Sequence, residues 1–180
     1  MKKLLTTALV LFTLLSSLQA EEDAHLAKMS ITDTKGVSYE VQGTQEGMIF
    51  KGLEGRVIFL EFFGHKCPPC LASIPHLVEL QKKHKDKLTI IAVEVQNQTE
   101  KELKEFIKEK NINYITVAGS NADEFIQYIA QRAEWRGSIP FTIGMDINGD
   151  VKFIEIGMIP DTTLEEQIKV LSKVEKRKTK

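Results

Sequence analysis

Cysteine is scarce in this chain, with two residues in 180 set three positions apart at Cys67 and Cys70. A bridge closing so short a loop removes little unfolded-state entropy, and a chain of this length can bury a sufficient core without one, so a structural staple explains the pair poorly. An excess of one charge is missing too: 24 Lys and Arg stand against 25 Asp and Glu, for a net charge of -1. No basic nucleic-acid surface is implied. There is no Gly-rich phosphate loop and no nucleophile elbow. His25, His65, His76 and His84 show no paired ligand spacing, so a zinc site, which would need two ligands besides the cysteines, is not expected.

Only one hydrophobic run approaches spanning length. It extends from Leu4 to Leu18 behind Met1-Lys2-Lys3, contains Thr6, Thr7, Thr13, Ser16 and Ser17, and is followed by Gln19-Ala20 and the acidic Glu21-Glu22-Asp23. That pattern falls short of the roughly 18 to 20 apolar residues of a spanning helix and reads as a secretory signal over 1–20, cleaved after Ala20. An uncleaved anchor is the alternative, since Leu18 meets the small-residue rule only loosely. Residues 21–180 then form one exported domain, with 22 basic against 25 acidic residues, placed in the cell envelope where thiols meet oxidising conditions. The basic end, Lys176-Arg177-Lys178-Thr179-Lys180, reads as a solvated, frayed tail.

Within the domain, Ser38–Val41 and Met48–Phe50 read as a small hairpin among Gly36, Gly43, Gly47, Gly52 and Gly55. Val57–Phe63 is an apolar run of the kind buried on both faces, broken only by Glu61. Leu71–His84 carries a helical apolar stripe, with Pro75 expected to kink it. Thr89–Val95 is a second buried strand, Thr99 with Glu102 caps a helix to Lys110, and Tyr114–Ala118 is a short strand. Asn121 with Glu124 offers a cap for a helix through Ala133, and Thr163 with Glu166 for a final amphipathic helix. Between them, Phe141–Met145 and Val151–Ile156 flank Asn148-Gly149, a tight-hairpin signal. The order, a hairpin, then βαβαβα, then ββα, predicts one α/β domain with a mixed sheet.

Cys67 follows a buried strand and opens a helix, where free N–H groups and the helix dipole favour an anion. Pro68 and Pro69 suit the first helical turn and remove two donors, while Cys70 keeps its N–H and can offer it to the Cys67 sulfur. Such spacing brings the sulfurs within bridging reach. Cys67 is expected to be the exposed nucleophile of disulfide exchange and Cys70 the shielded sulfur that resolves the mixed disulfide.

Phe59 through Cys70, FLEFFGHKCPPC, with Ile74-Pro75 downstream, resembles the thioredoxin superfamily and especially its exported TlpA/ResA-like branch, over most of residues 31–172. The resemblance implies a thioredoxin-like fold: a central mixed sheet flanked by helices, an N-terminal β-hairpin extension and one inserted βα unit. It implies that Arg136-Gly137-Ser138-Ile139-Pro140 is the cis-proline loop, with Ile139 and Pro140 receiving substrate as a short strand beside the cysteines. Glu61 takes the position of a buried acid beneath the second cysteine, whose raised pKa suits it to move the Cys70 proton; a solvated, edge-facing glutamate is the other reading. No cofactor is called for, since the Cys67–Cys70 pair itself carries the electrons.

His65 and Lys66 depart from the family, which commonly has an aromatic residue before the first cysteine. Lys66 either lowers the Cys67 thiol pKa and makes the pair more oxidising, or is a screened surface lysine. Trp135 and Tyr128 are expected to pack around the residues before Pro140, and His76 to be a packed or half-exposed helix residue.

The resemblance implies a reductase of selected protein disulfides, such as those of apocytochrome c, fed by a membrane thiol donor. Too few residues separate Cys70 from Pro140 for the helical insertion of DsbA-type oxidases, though Lys66 and the Leu60–Phe63 string keep an oxidase open. A thioredoxin-fold binding protein or chaperone without turnover is the reading from another class. Oligomeric state is not legible.

Overall fold

The computed structural model describes residues 27–177. The expected signal segment, His25 and the last three tail residues lie outside them. Two apolar heptamers set the architecture. β4 (Val57–Phe63) and β5 (Leu88–Glu94) are buried at every position, as strands covered on both faces must be. They pair in parallel, β6 (Ile115–Ala118) extends the sheet beyond β5, and β7 (Phe141–Met145) and β8 (Val151–Ile156) extend it antiparallel beyond β4, giving the order β6-β5-β4-β7-β8. The alternation of β4 sorts the core into two layers. Val57, Phe59 and Phe63 face α1 (Pro68–Lys83), α2 (Glu100–Glu109) and α4 (Asp161–Leu171), whose Ile74, Leu77, Leu103, Leu164 and Ile168 share their cluster. Ile58, Leu60 and Phe62 face α3 (Asp123–Arg132), through Phe125 and Ile129, and a separate small sheet. This is the mixed α/β thioredoxin-like fold that the resemblance implied.

The expected N-terminal hairpin has a third strand. β1 (Lys28–Thr32), β2 (Ser38–Gly43) and β3 (Met48–Phe50) form an antiparallel sheet that buries Ile31, Val41 and Phe50. Its β3 end docks on the turn between β7 and β8, where Met48 N–H donates to Gly149 O at 2.9 Å. Gly149 adopts φ +81°, and a side chain there would meet the Met48 carbonyl, so both the turn and the docking need glycine. Asp146 organises that turn through Oδ1, which accepts from the N–H groups of Asn148 and Asp150. The C-terminal segment is not frayed up to residue 177: Arg177 N–H donates to Asn148 Oδ1 at 2.8 Å, and its guanidinium pairs with Asp150.

Of the three capping signals one holds. Thr99 and Glu102 exchange both bonds of a capping box. Asn121 is instead the last residue of a 3-10 turn, Gly119–Asn121; Ala122 begins α3 without a side-chain cap, and the Asn121 amide turns to Glu100. Thr163 lies inside the first turn of α4, because the Pro160 carbonyl already accepts from the N–H groups of Thr163 and Leu164, which puts the N-cap three residues earlier. α1 runs through Pro75 as one helix.

Candidate active site

Cys67 is the N-cap residue of α1, with extended backbone (φ -106°, ψ 103°), and its carbonyl accepts the first helical bond from Leu71 N–H. Because Pro68 and Pro69 carry no N–H, the donor left over in the first turn is that of Cys70, which lies 3.3 Å from Cys67 Sγ. The two cysteines are joined by a disulfide, their Cα atoms 5.2 Å apart. Cys67 is 6% exposed and Cys70 1%. Cys67, expected to be exposed, is therefore buried along with Cys70, and both belong to the core cluster against which Ile139 packs.

The loop ahead of Cys67 is held through His65 and Lys66 by Glu94 and Gln96, which sequence reasoning passed over. His65 Nδ1 lies 2.8 Å from Glu94 Oε1, and Glu94, at the end of β5, is fully buried. The same carboxylate accepts from the N–H groups of Gln96 and Gln98. Gln96 Oε1 in turn accepts from Lys66 N–H at 2.8 Å, and its side chain packs where a Gly64 Cβ would stand. The only available signal was a carboxylate closing an otherwise apolar strand, the same kind of break that marked Glu61. Lys66 itself is exposed.

Glu61 is not at an edge. It sits in the middle strand of the sheet, 5% exposed, on the face that carries Phe59 and Phe63. Burial pushes its carboxyl up to about 8. The Tyr114 phenol is raised as well, by its own burial and then by the Glu61 charge. Glu61 stands opposite Thr142 of β7, and the two share the wall of a cavity of about 20 Å³ with Ser73 and His76 of α1. Ser73 is one helical turn beyond Cys70 on the buried face of α1. The hydroxyl of Ser73 donates to Pro69 O at 2.9 Å, which leaves its lone pairs free to accept.

The Ile139–Pro140 peptide bond is cis. Because Phe141 pairs with Phe62, the loop it follows lies at the end of the sheet from which the cysteine segment departs. Trp135 stacks on Phe141 with centroids 5.5 Å apart, and its indole N–H donates to Ser138 O at 2.7 Å, so it braces this loop. Tyr128, on α3, lies beneath the Arg132 guanidinium and packs against the same core layer as Trp135 and Ile139. Gly157 N–H donates to Pro140 O at 2.8 Å, which sets the exposed side chains of Ile156 and Met158 beside the same loop. These apolar residues also went unnoticed in the sequence.

The family model described as Redoxin matches residues 29–170. A relative named thiol-disulfide oxidoreductase ResA, from Halalkalibacterium halodurans, is 25% identical over 83% of this chain and 80% of its own length. Its namesake from Oceanobacillus iheyensis is 26% identical over 90% of this chain and 81% of its own. Among solved structures, StoA from Bacillus subtilis superposes with a TM-score of 0.60 at 20% identity, covering 80% of this chain and 98% of that one. A thiol:disulfide interchange protein of the thioredoxin family from Chlorobium tepidum gives 0.63 at 21%, over 81% and 93%. At these identities the structural likeness establishes the fold.

Proposed function

This chain belongs to the Redoxin family, in the TlpA/ResA-like branch of the thioredoxin superfamily, and on that premise we propose that it reduces selected protein disulfides in the cell envelope. It is an oxidoreductase whose dithiol is Cys67–Cys70, and its relatives are named for thiol-disulfide exchange. The observation that carries the reading is the Cys67 sulfur at the N-terminus of α1 with the Cys70 N–H aimed at it, at the sheet end that also bears Ile139-Pro140. In the reduced protein that donor stabilises a Cys67 thiolate, which attacks a substrate disulfide. Ile139 and Pro140 offer backbone to the bound segment, and Ile156 and Met158 offer apolar contact.

The mixed disulfide is resolved by Cys70. Glu61 takes the Cys70 proton, the Cys70 thiolate attacks Cys67 Sγ, the Cys67–Cys70 bond forms and the substrate leaves as a thiolate that solvent protonates. A carboxyl held near 8 is matched to that transfer at neutral pH. A membrane thiol donor then returns two electrons to the disulfide. Apocytochrome c is the substrate class that kinship puts forward, and export to the envelope fits both donor and substrate.

A redox titration tests the direction. A potential near about -270 mV, as in thioredoxin, supports the reductase; one near about -120 mV, as in DsbA, makes it an oxidase. Lys66, exposed beside Cys67, is the observation that favours the second outcome.

A further inference from the structure

We propose that His76, held by Asp161, is the outer station of a proton path that joins buried Glu61 to solvent through one water in the cavity between them. The inference rests on the role just given to Glu61. Glu61 must be ionised before it can take the Cys70 proton, and a carboxyl only 5% exposed in the middle of a sheet sheds its own proton to solvent only along a route within the protein. It needs an exit.

The cavity supplies it. Its volume of about 20 Å³ exceeds the roughly 10 to 15 Å³ that one water needs, and Glu61, Ser73, Thr142 and His76 give that water polar partners. Phe59, Leu77, Ile90 and Leu164 make the rest of the wall apolar, so a proton leaving Glu61 has few other acceptors. His76 belongs both to this wall and to the surface, with its side chain 49% exposed. Its Nδ1 lies 2.6 Å from Asp161 Oδ2 at the start of α4. A carboxylate on Nδ1 holds the ring proton there and leaves Nε2 as the accepting atom.

The groups that bear on this path are Cys70 and His76 from α1, Tyr114 ahead of β6 and Asp161 from α4; the β5 and β7 walls add uncharged Ile90 and Thr142. The transfers balance. The Glu61 proton passes to the water, a water proton passes to His76 Nε2, and the Nε2 proton passes to bulk solvent, restoring the Glu61 carboxylate.

The test is single-turnover reaction of the reduced protein with an aromatic disulfide, in which the first thiol release reports attack by Cys67 and the second reports resolution by Cys70. His76→Gln is expected to leave the first phase unchanged and slow the second roughly tenfold at neutral pH, with added imidazole restoring it. Asp161→Asn should slow it less and shift its pH profile. Glu61→Gln should slow it without imidazole rescue. If His76→Gln and Asp161→Asn resolve at the wild-type rate while Glu61→Gln is slow, the path through His76 is wrong and the role of Glu61 stands. A slow His76→Gln that imidazole does not restore also overturns the path, since that is a packing defect. If Glu61→Gln resolves normally, the proton role of Glu61 falls, and the path with it.

Discussion

His65 and Glu94 are bound to each other across the base of the reactive loop, imidazole Nδ1 to carboxylate Oε1 at 2.8 Å, with the carboxylate fully buried. The pair ties the segment entering Cys67 to the end of β5, where Gln96 and Gln98 N–H groups close on the same carboxylate. Glu94→Ala leaves those donors without a partner, at about 1 to 3 kcal/mol for each that stays buried. We expect at least about 2 kcal/mol of destabilisation by urea unfolding, together with faster alkylation of reduced Cys67 as its loop loosens.

Cys67→Ser is expected to abolish disulfide exchange. Cys70→Ser should instead accumulate mixed disulfides through Cys67, recovered from envelope extracts as adducts that thiols release. Absence of any adduct would count against the enzyme reading.

The Glu61 carboxyl gives a pH signature of stability. Its folded-state pKa of about 8 lies above the ordinary 4.5, so between those values the folded state holds a proton that the unfolded chain has lost. Stability contributed by this group is therefore full below about pH 4.5 and is lost as pH rises towards 8. Glu61→Gln should be more stable than the parent by something on the order of 3 kcal/mol at pH 7, and no more stable at pH 4, when denaturant curves are compared.

Lys66→Gln removes an exposed positive charge beside Cys67. The alkylation rate of reduced Cys67 at neutral pH should fall only slightly, because solvent screens the lysine. Rates at low and high salt check this; a large fall that salt does not weaken would make Lys66 a determinant of redox direction.

Ile156→Ser with Met158→Ser should lower the rate on protein disulfides several-fold while sparing small disulfides, since these exposed apolar side chains flank the Pro140 loop. Equal loss on both substrates would contradict a docking role.

The elements built from consecutive residues were readable in the sequence. β4 and β5 announce themselves as apolar runs, and Thr99 with Glu102 acts locally. Asn121 with Glu124 and Thr163 with Glu166 share that pattern and fail, because the helix start is decided by which carbonyl first accepts, Ala122 in one case and Pro160 in the other. At the site, the Cys-Pro-Pro-Cys spacing and Glu61 were visible as departures from an apolar background. The Glu94 clamp, the Glu61–His76 cavity and the Ile156–Met158 patch were not, since each joins side chains of different elements that only the fold brings together, or depends on which strand lies at an edge.

The turn at Asp146–Asp150 lies beyond Met145, the far end of β7 from Pro140. Met48 fastens to it through Gly149, Gly43 beside Met48 bonds to Ala27, and Arg177 fastens to it through Asn148 and Asp150. Both ends of the described chain are thus moored at one pole while the dithiol occupies the other. Held from either end, on a surface or on a fused neighbour, the molecule stands with its working tip outward.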